Sequence, residues 1–86
     1  MDIPDLEARI KGILTNRLGM NASDIRMNSR LTDELGMDSL DAVELAIATE
    51  RQFGISISDE DVAKLVTVAD IAGLVHRLTQ EQRGSA

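Results

Sequence analysis

The sequence predicts an all-α fold: a small helical bundle of three main helices plus one short helix, with a long loop after the first. Three observations predict it. Apolar residues recur at helical spacing in three separate stretches. Residues that favour helix starts and stops stand at the ends of those stretches. The chain has 86 residues, enough for one small domain with a modest core.

The elements follow in order. Ile3, Leu6, Ile10, Ile13, Leu14 and Leu18 form one stripe. Pro4 suits a first helical turn, Asp5 and Glu7 suit the positive end of the helix dipole, and Gly19 suits the stop, so a helix is predicted over about 4–18. Residues 19–38 read as a long connection whose Asn21, Ser23, Asp24, Asn28 and Ser29 supply turn chemistry. Met20, Ile25, Met27, Leu31 and Leu35 recur along it, so it is expected to be pinned to the core. A second helix starts at Asp38 or Ser39 and ends at Phe53, before Gly54. Ile55-Ser56-Ile57 is extended or a turn. Ser58 can cap a short helix over 59–64, with Asp61 three residues on. Thr67 and Asp70 repeat the pattern for a last helix over 68–80, with Val68, Ile71, Ala72, Val75 and Leu78 as its stripe. The domain is expected to span 1–80, with 81–86 a flexible tail.

Composition removes several functions. There is no cysteine, so disulfides, thiolate metal sites and thiol chemistry are excluded. Phe53 is the only Phe, Tyr or Trp, which leaves base stacking almost nothing to use. The acidic start, Met1-Asp2-Ile3-Pro4-Asp5, does not resemble a signal peptide, and a cytoplasmic monomer is expected. The net charge is −6, but residues 33–61 alone carry −8: nine acids against Arg51. Such a field repels nucleic acid and anionic lipid and attracts basic protein surfaces.

The second helix has two apolar faces. Ala42, Leu45, Ala46, Thr49 and Phe53 form a small-residue stripe suited to the core. Leu40, Val43 and Ile47 form another, beside Asp41, Glu44, Glu50 and Arg51. One reading buries the helix on both sides; the other makes the second stripe a docking face, apolar in the centre with an acidic rim. At the mouth of this helix stands Ser39. Its hydroxyl either caps the helix or is a chemical handle. A catalytic role finds no support, because the one histidine, His76, lies in the last helix and a serine nucleophile lacks its usual base. Asp38, Asp41 and Glu44 fall at helical spacing and do not match a calcium loop, so no metal site is expected.

Taken together, "LGMDSLDAVEL", Leu35 to Leu45, resembles the phosphopantetheine attachment motif of the acyl carrier proteins. "FGISISDEDVAKLVTVADI", Phe53 to Ile71, is similar to the stretch that follows it in that family. The resemblance covers about residues 3–80. It implies a non-catalytic carrier in which Ser39 bears 4′-phosphopantetheine, transferred from coenzyme A by a separate phosphopantetheinyl transferase. Acyl groups would ride on the arm as thioesters, presented to enzymes of fatty acid, lipid or polyketide-type biosynthesis. It also implies that partners with basic surfaces dock on Asp38, Leu40, Asp41, Val43, Glu44, Ile47 and Glu50. Arg51 stands where many relatives are acidic, and Ser58 where proline is common. The alternatives are a peptidyl or aminoacyl carrier, and a cofactor-free acidic interaction domain.

Overall fold

The computed structural model describes residues 3–84. It contains four α-helices: α1 (Ile3–Leu18), α2 (Ser39–Phe53), α3 (Asp59–Ala63) and α4 (Val68–Gly84), with a single 3-10 turn at Ala22–Asp24. Among the described residues there is no strand, only an isolated antiparallel bridge between Arg30 and Thr67. The all-α bundle expected from the sequence is therefore the observed one. α4 is longer than its apolar stripe. It continues through Gln80, Glu81, Gln82 and Arg83, residue types of high helix propensity. The expected tail, 81–86, thus overlaps α4 at 81–84, and its last two residues lie outside the described ones.

The core is built largely from the predicted stripes, with Leu74 of α4 added to them and Leu78 only half-buried. α1 contributes Leu6, Ile10, Ile13 and Leu14; α2 contributes Leu45, Ala46 and Thr49; α4 contributes Val68, Ile71, Ala72, Leu74 and Val75, all buried. Burying a large aliphatic side chain is worth about 1.5–3 kcal/mol, so this set carries most of the fold's apolar stabilisation. α1 packs against both α2 and α4. Thr49 is the one hydroxyl inside the α2 stripe. It donates to the Leu45 carbonyl at 2.7 Å, so its polar group is satisfied within its own helix. Phe53 is half-buried at the edge of the core rather than enclosed by it. The Arg9 guanidinium of α1 lies 5.8 Å from the centre of its ring, a cation–π contact across the α1–α2 seam.

The long connection is pinned, as its apolar recurrence predicted. Ile25, Leu31 and Met37 are buried, with Met20, Met27 and Leu35 packed beside them. Its backbone is also tied to the start of α4. Val68 N–H donates to the Ser29 carbonyl at 3.1 Å, Ala69 N–H to that of Met27 at 2.8 Å, and Leu31 N–H to that of Val66 at 2.9 Å. These bonds satisfy two donors that a helix start leaves open. Thr67 and Asp70 complete the cap. The Asp70 carboxylate accepts the N–H groups of Val66 and Thr67, both at 3.0 Å, while Thr67 Oγ1 accepts Asp70 N–H at 3.3 Å. The N–H of Thr67, then that of Val66, hold the Asp70 carboxyl below the ordinary aspartate pKa.

α3 is short and depends on its anchors. Ser58 Oγ caps it, accepting Asp61 N–H at 3.1 Å. Asp61 also pairs with Arg77 of α4 at 3.2 Å. Gly54 closes α2 at φ +66°, a left-handed conformation that a side chain would strain.

Candidate functional site

Ser39 is the first residue of α2, and the local geometry shows which residue caps that helix. Asp38, not Ser39, is the cap. Asp38 Oδ1 accepts Asp41 N–H at 2.9 Å, and Asp41 Oδ2 accepts Asp38 N–H at 3.2 Å. This reciprocal pair leaves no capping duty for the serine. Ser39 is exposed, and among the described residues its hydroxyl has no hydrogen-bond partner. The chain reaches this point through Gly36, whose φ of +69° turns it toward Met37. Met37 N–H then donates to the Leu31 carbonyl at 2.9 Å, closing the neck of a turn from Leu31 to Met37. An exposed hydroxyl is thus held out from a fixed support.

A groove of about 630 Å³ opens at Ser39 between α2 and α3. Met37, Ala42, Ala46, Val62 and Leu65 give it an apolar lining, with Asp38, Glu50 and Asp59 among its polar groups. Its space comes from the small residues of the α2 stripe: Ala42 and Ala46 stand where larger side chains would fill it. Thr32, Ile57, Val62, Ala63 and Leu65 also line it and were not singled out from the sequence. Val62 and Leu65 sit three apart in a short amphipathic segment, which was the signal available.

The second apolar stripe of α2 is on the surface. Leu40 is 79% exposed, Val43 53% and Ile47 45%, so the helix is not buried on both sides. Asp38 and Glu44 are exposed near it and Asp41 is half-buried. Glu50 differs from the other acids. It is half-buried, and its Oε2 accepts Ile57 N–H at 2.7 Å, fastening the link between α2 and α3. Val66, 52% exposed at the α3–α4 junction, is a further surface apolar residue that the sequence did not mark. His76 is half-buried on α4 and lines no part of the groove. Among the described residues, no cluster of His, Cys, Asp or Glu could hold a metal ion.

Residues 8–75 match the family model described as the phosphopantetheine attachment site. A curated relative, an acyl carrier protein of Clostridium acetobutylicum, is 40% identical over 73 residues, covering 85% of this chain and 95% of that protein. The chain belongs to the acyl carrier protein family. The fold agrees: the crystal structure of an acyl carrier protein from Thermotoga maritima superposes with a TM-score of 0.83 at 27% identity, covering 94% of each chain. Among the described residues, no helix of this carrier is long and apolar enough to cross a membrane.

The residues present fit the group that the family description names. A phosphodiester needs an accessible hydroxyl, and Ser39 offers one with no competing bond. The start of α2 adds N–H groups that have no intrahelical acceptor, and its dipole favours an anion by about 0.3–1 kcal/mol. Asp38 and Asp41 partly offset that attraction.

Proposed function

We propose that Ser39 is the site at which this acyl carrier protein is modified with 4′-phosphopantetheine from coenzyme A. The observation that carries the reading is the unpartnered, exposed hydroxyl at the first residue of α2, whose capping is done by Asp38 and Asp41. When bound, the group supplies a terminal thiol that holds acyl cargo as a thioester, which suits a chain with no cysteine of its own.

The chain's own part is to present and to shelter. Asp38 and Asp41 keep the start of α2 rigid, and Met37 and Gly36 aim it outward. The groove offers an apolar bed beside the attachment point. Met37, Ala42, Ala46, Val62 and Leu65 suit an apolar acyl chain, which gains by leaving water there. Enzymes of fatty acid, lipid or polyketide-type biosynthesis are the class of partner this implies. Leu40, Val43 and Ile47 give them an apolar contact, and Asp38, Asp41 and Glu44 give a negative rim that draws basic surfaces. Glu50 contributes to that field while also holding Ile57.

The test is intact mass. Incubation with coenzyme A and a phosphopantetheinyl transferase should add one phosphopantetheine, and peptide mapping should place it on Ser39. A chain that stays unmodified overturns the reading and favours a cofactor-free interaction domain; one labelled at Ser29, Ser56 or Ser58 overturns the assignment to Ser39.

A further inference from the structure

The turn that carries Ser39 is anchored to a residue far along the chain. Asp70 Oδ2 accepts the N–H groups of Val66 and Thr67 and so fixes the Val66–Thr67 peptide. The carbonyl of Val66 accepts Leu31 N–H at 2.9 Å, and the carbonyl of Leu31 accepts Met37 N–H at 2.9 Å. Met37 is buried and directly precedes Asp38 and Ser39. One line of hydrogen bonds therefore runs from the Asp70 carboxylate through the Val66–Thr67 peptide and the two peptides that flank Leu31 to the neck of the serine turn. The bonds from Val68 and Ala69 to Ser29 and Met27 hold the same strip of chain against α4. The Val66 and Thr67 N–H groups both converge on this one carboxylate oxygen. Its loss leaves two donors to water and frees the peptide whose carbonyl Leu31 uses.

We propose that Asp70 is a positioning residue for Ser39: through the Val66 and Leu31 peptides it sets the neck of the 31–37 turn, and so the place at which Ser39 meets a modifying enzyme. This rests on the reading of Ser39 as the attachment site. Only chains with the turn set are competent substrates. Loosening it should therefore raise the apparent KM for the carrier and leave kcat unchanged.

The experiment compares wild type, Asp70→Ala, Asp70→Asn and Ser58→Ala, the last removing a cap of α3 that is not wired to Leu31. Amide hydrogen exchange is read at Leu31 and Met37 and, as a measure of global opening, at Leu14 and Val75. Transfer from coenzyme A to Ser39 is measured over a range of carrier concentrations. In Asp70→Ala the KM for transfer should rise about threefold to tenfold, as a fall of the competent fraction to about a third to a tenth requires, and Leu31 and Met37 should lose nearly all their protection against exchange. Asp70→Asn, which keeps an acceptor oxygen, should fall between, and Ser58→Ala should leave Leu31 and Met37 as in wild type. Wild-type protection of those two amides in Asp70→Ala overturns the proposal. So does a rise shared equally by Leu14 and Val75. If Asp70→Ala does not fold, Asp70→Asn decides: wild-type exchange and KM in that variant also overturn it. Failure of wild type to be modified at Ser39 sinks the attachment reading instead, and the exchange measurements still judge the relay.

Discussion

α2 and α4 begin with the same device and put it to different use. Each has a cap residue and, three positions on, an aspartate that returns a bond to the backbone: Asp38 with Asp41, Thr67 with Asp70. At α2 the pair is self-contained and exposed, and it leaves the intervening Ser39 with nothing to hold. At α4 the next two N–H groups are taken by carbonyls of the long connection, so that helix start becomes a fastening for another part of the chain. The capping residues are similar, and what separates the two sites is where the remaining donors go. One helix start faces outward and leaves a hydroxyl free; the other faces the chain and serves the fold.

Mutation of each start should show the contrast. The largest effect expected is on modification. Ser39→Ala should abolish phosphopantetheine incorporation, seen by intact mass, while changing stability by less than about 0.5 kcal/mol in denaturant unfolding, because the serine caps nothing. A loss of 1 kcal/mol or more, on the order expected when a cap is removed, would show that the serine shares the cap after all. Next come the caps themselves. Asp70→Ala should cost about 2 kcal/mol, near the top of the usual range for a cap, and Asp38→Ala about 1 kcal/mol, since only the former loosens a second segment. Equal costs would erase the distinction between the two starts.

A smaller effect concerns docking beside the outward start. Glu44→Lys should remain folded by circular dichroism, within about 0.5 kcal/mol of wild type. It should nevertheless slow transfer through a lower association rate, and added salt should narrow the gap. Val43→Asp should also fold, because Val43 is half in solvent, and should weaken transfer with little salt dependence. An unfolded Val43→Asp beside a fully active Glu44→Lys would return α2 to a purely structural helix.

The smallest effect is on pH dependence. Asp70 has a lower pKa folded than unfolded, so in the acid range the unfolded chain binds the extra proton. Its contribution to stability is complete above the ordinary aspartate value of about 3.9 and is lost as pH falls through the folded value. Asp70→Asn should therefore flatten the stability profile below about pH 4, and an unchanged slope there would mean the carboxylate bonds contribute little.

Much of this was legible in the sequence because it is written in side chains. The stripes of α1, α2 and α4 are periodic, and Gly19, Gly54, Ser58 and Thr67 mark helix ends by their own chemistry. Ser39 stood out by position and by likeness. Three things were not legible. Asp38 and Ser39 are both good caps, and only geometry shows that Asp41 selects Asp38. The tie between Met27–Leu31 and α4 is made by peptide groups, which leave no residue signature. Glu50 looked like one more surface acid, because nothing in its neighbours reveals that Ile57 N–H reaches back to it. The burial of Phe53 was overestimated for a related reason: its size suggested a core ring, but it sits at the last position of α2, where coverage by α1 is partial.

That ring has a practical consequence. Because Phe53 is the only phenylalanine, a fluorinated phenylalanine supplied during growth would enter this chain at a single position. It would give one fluorine resonance, placed beneath the Arg9 guanidinium on the seam between α1 and α2. Any event that shifts those two helices against each other, whether cargo entering the groove or a partner settling on α2, could be followed from that one line without altering another residue.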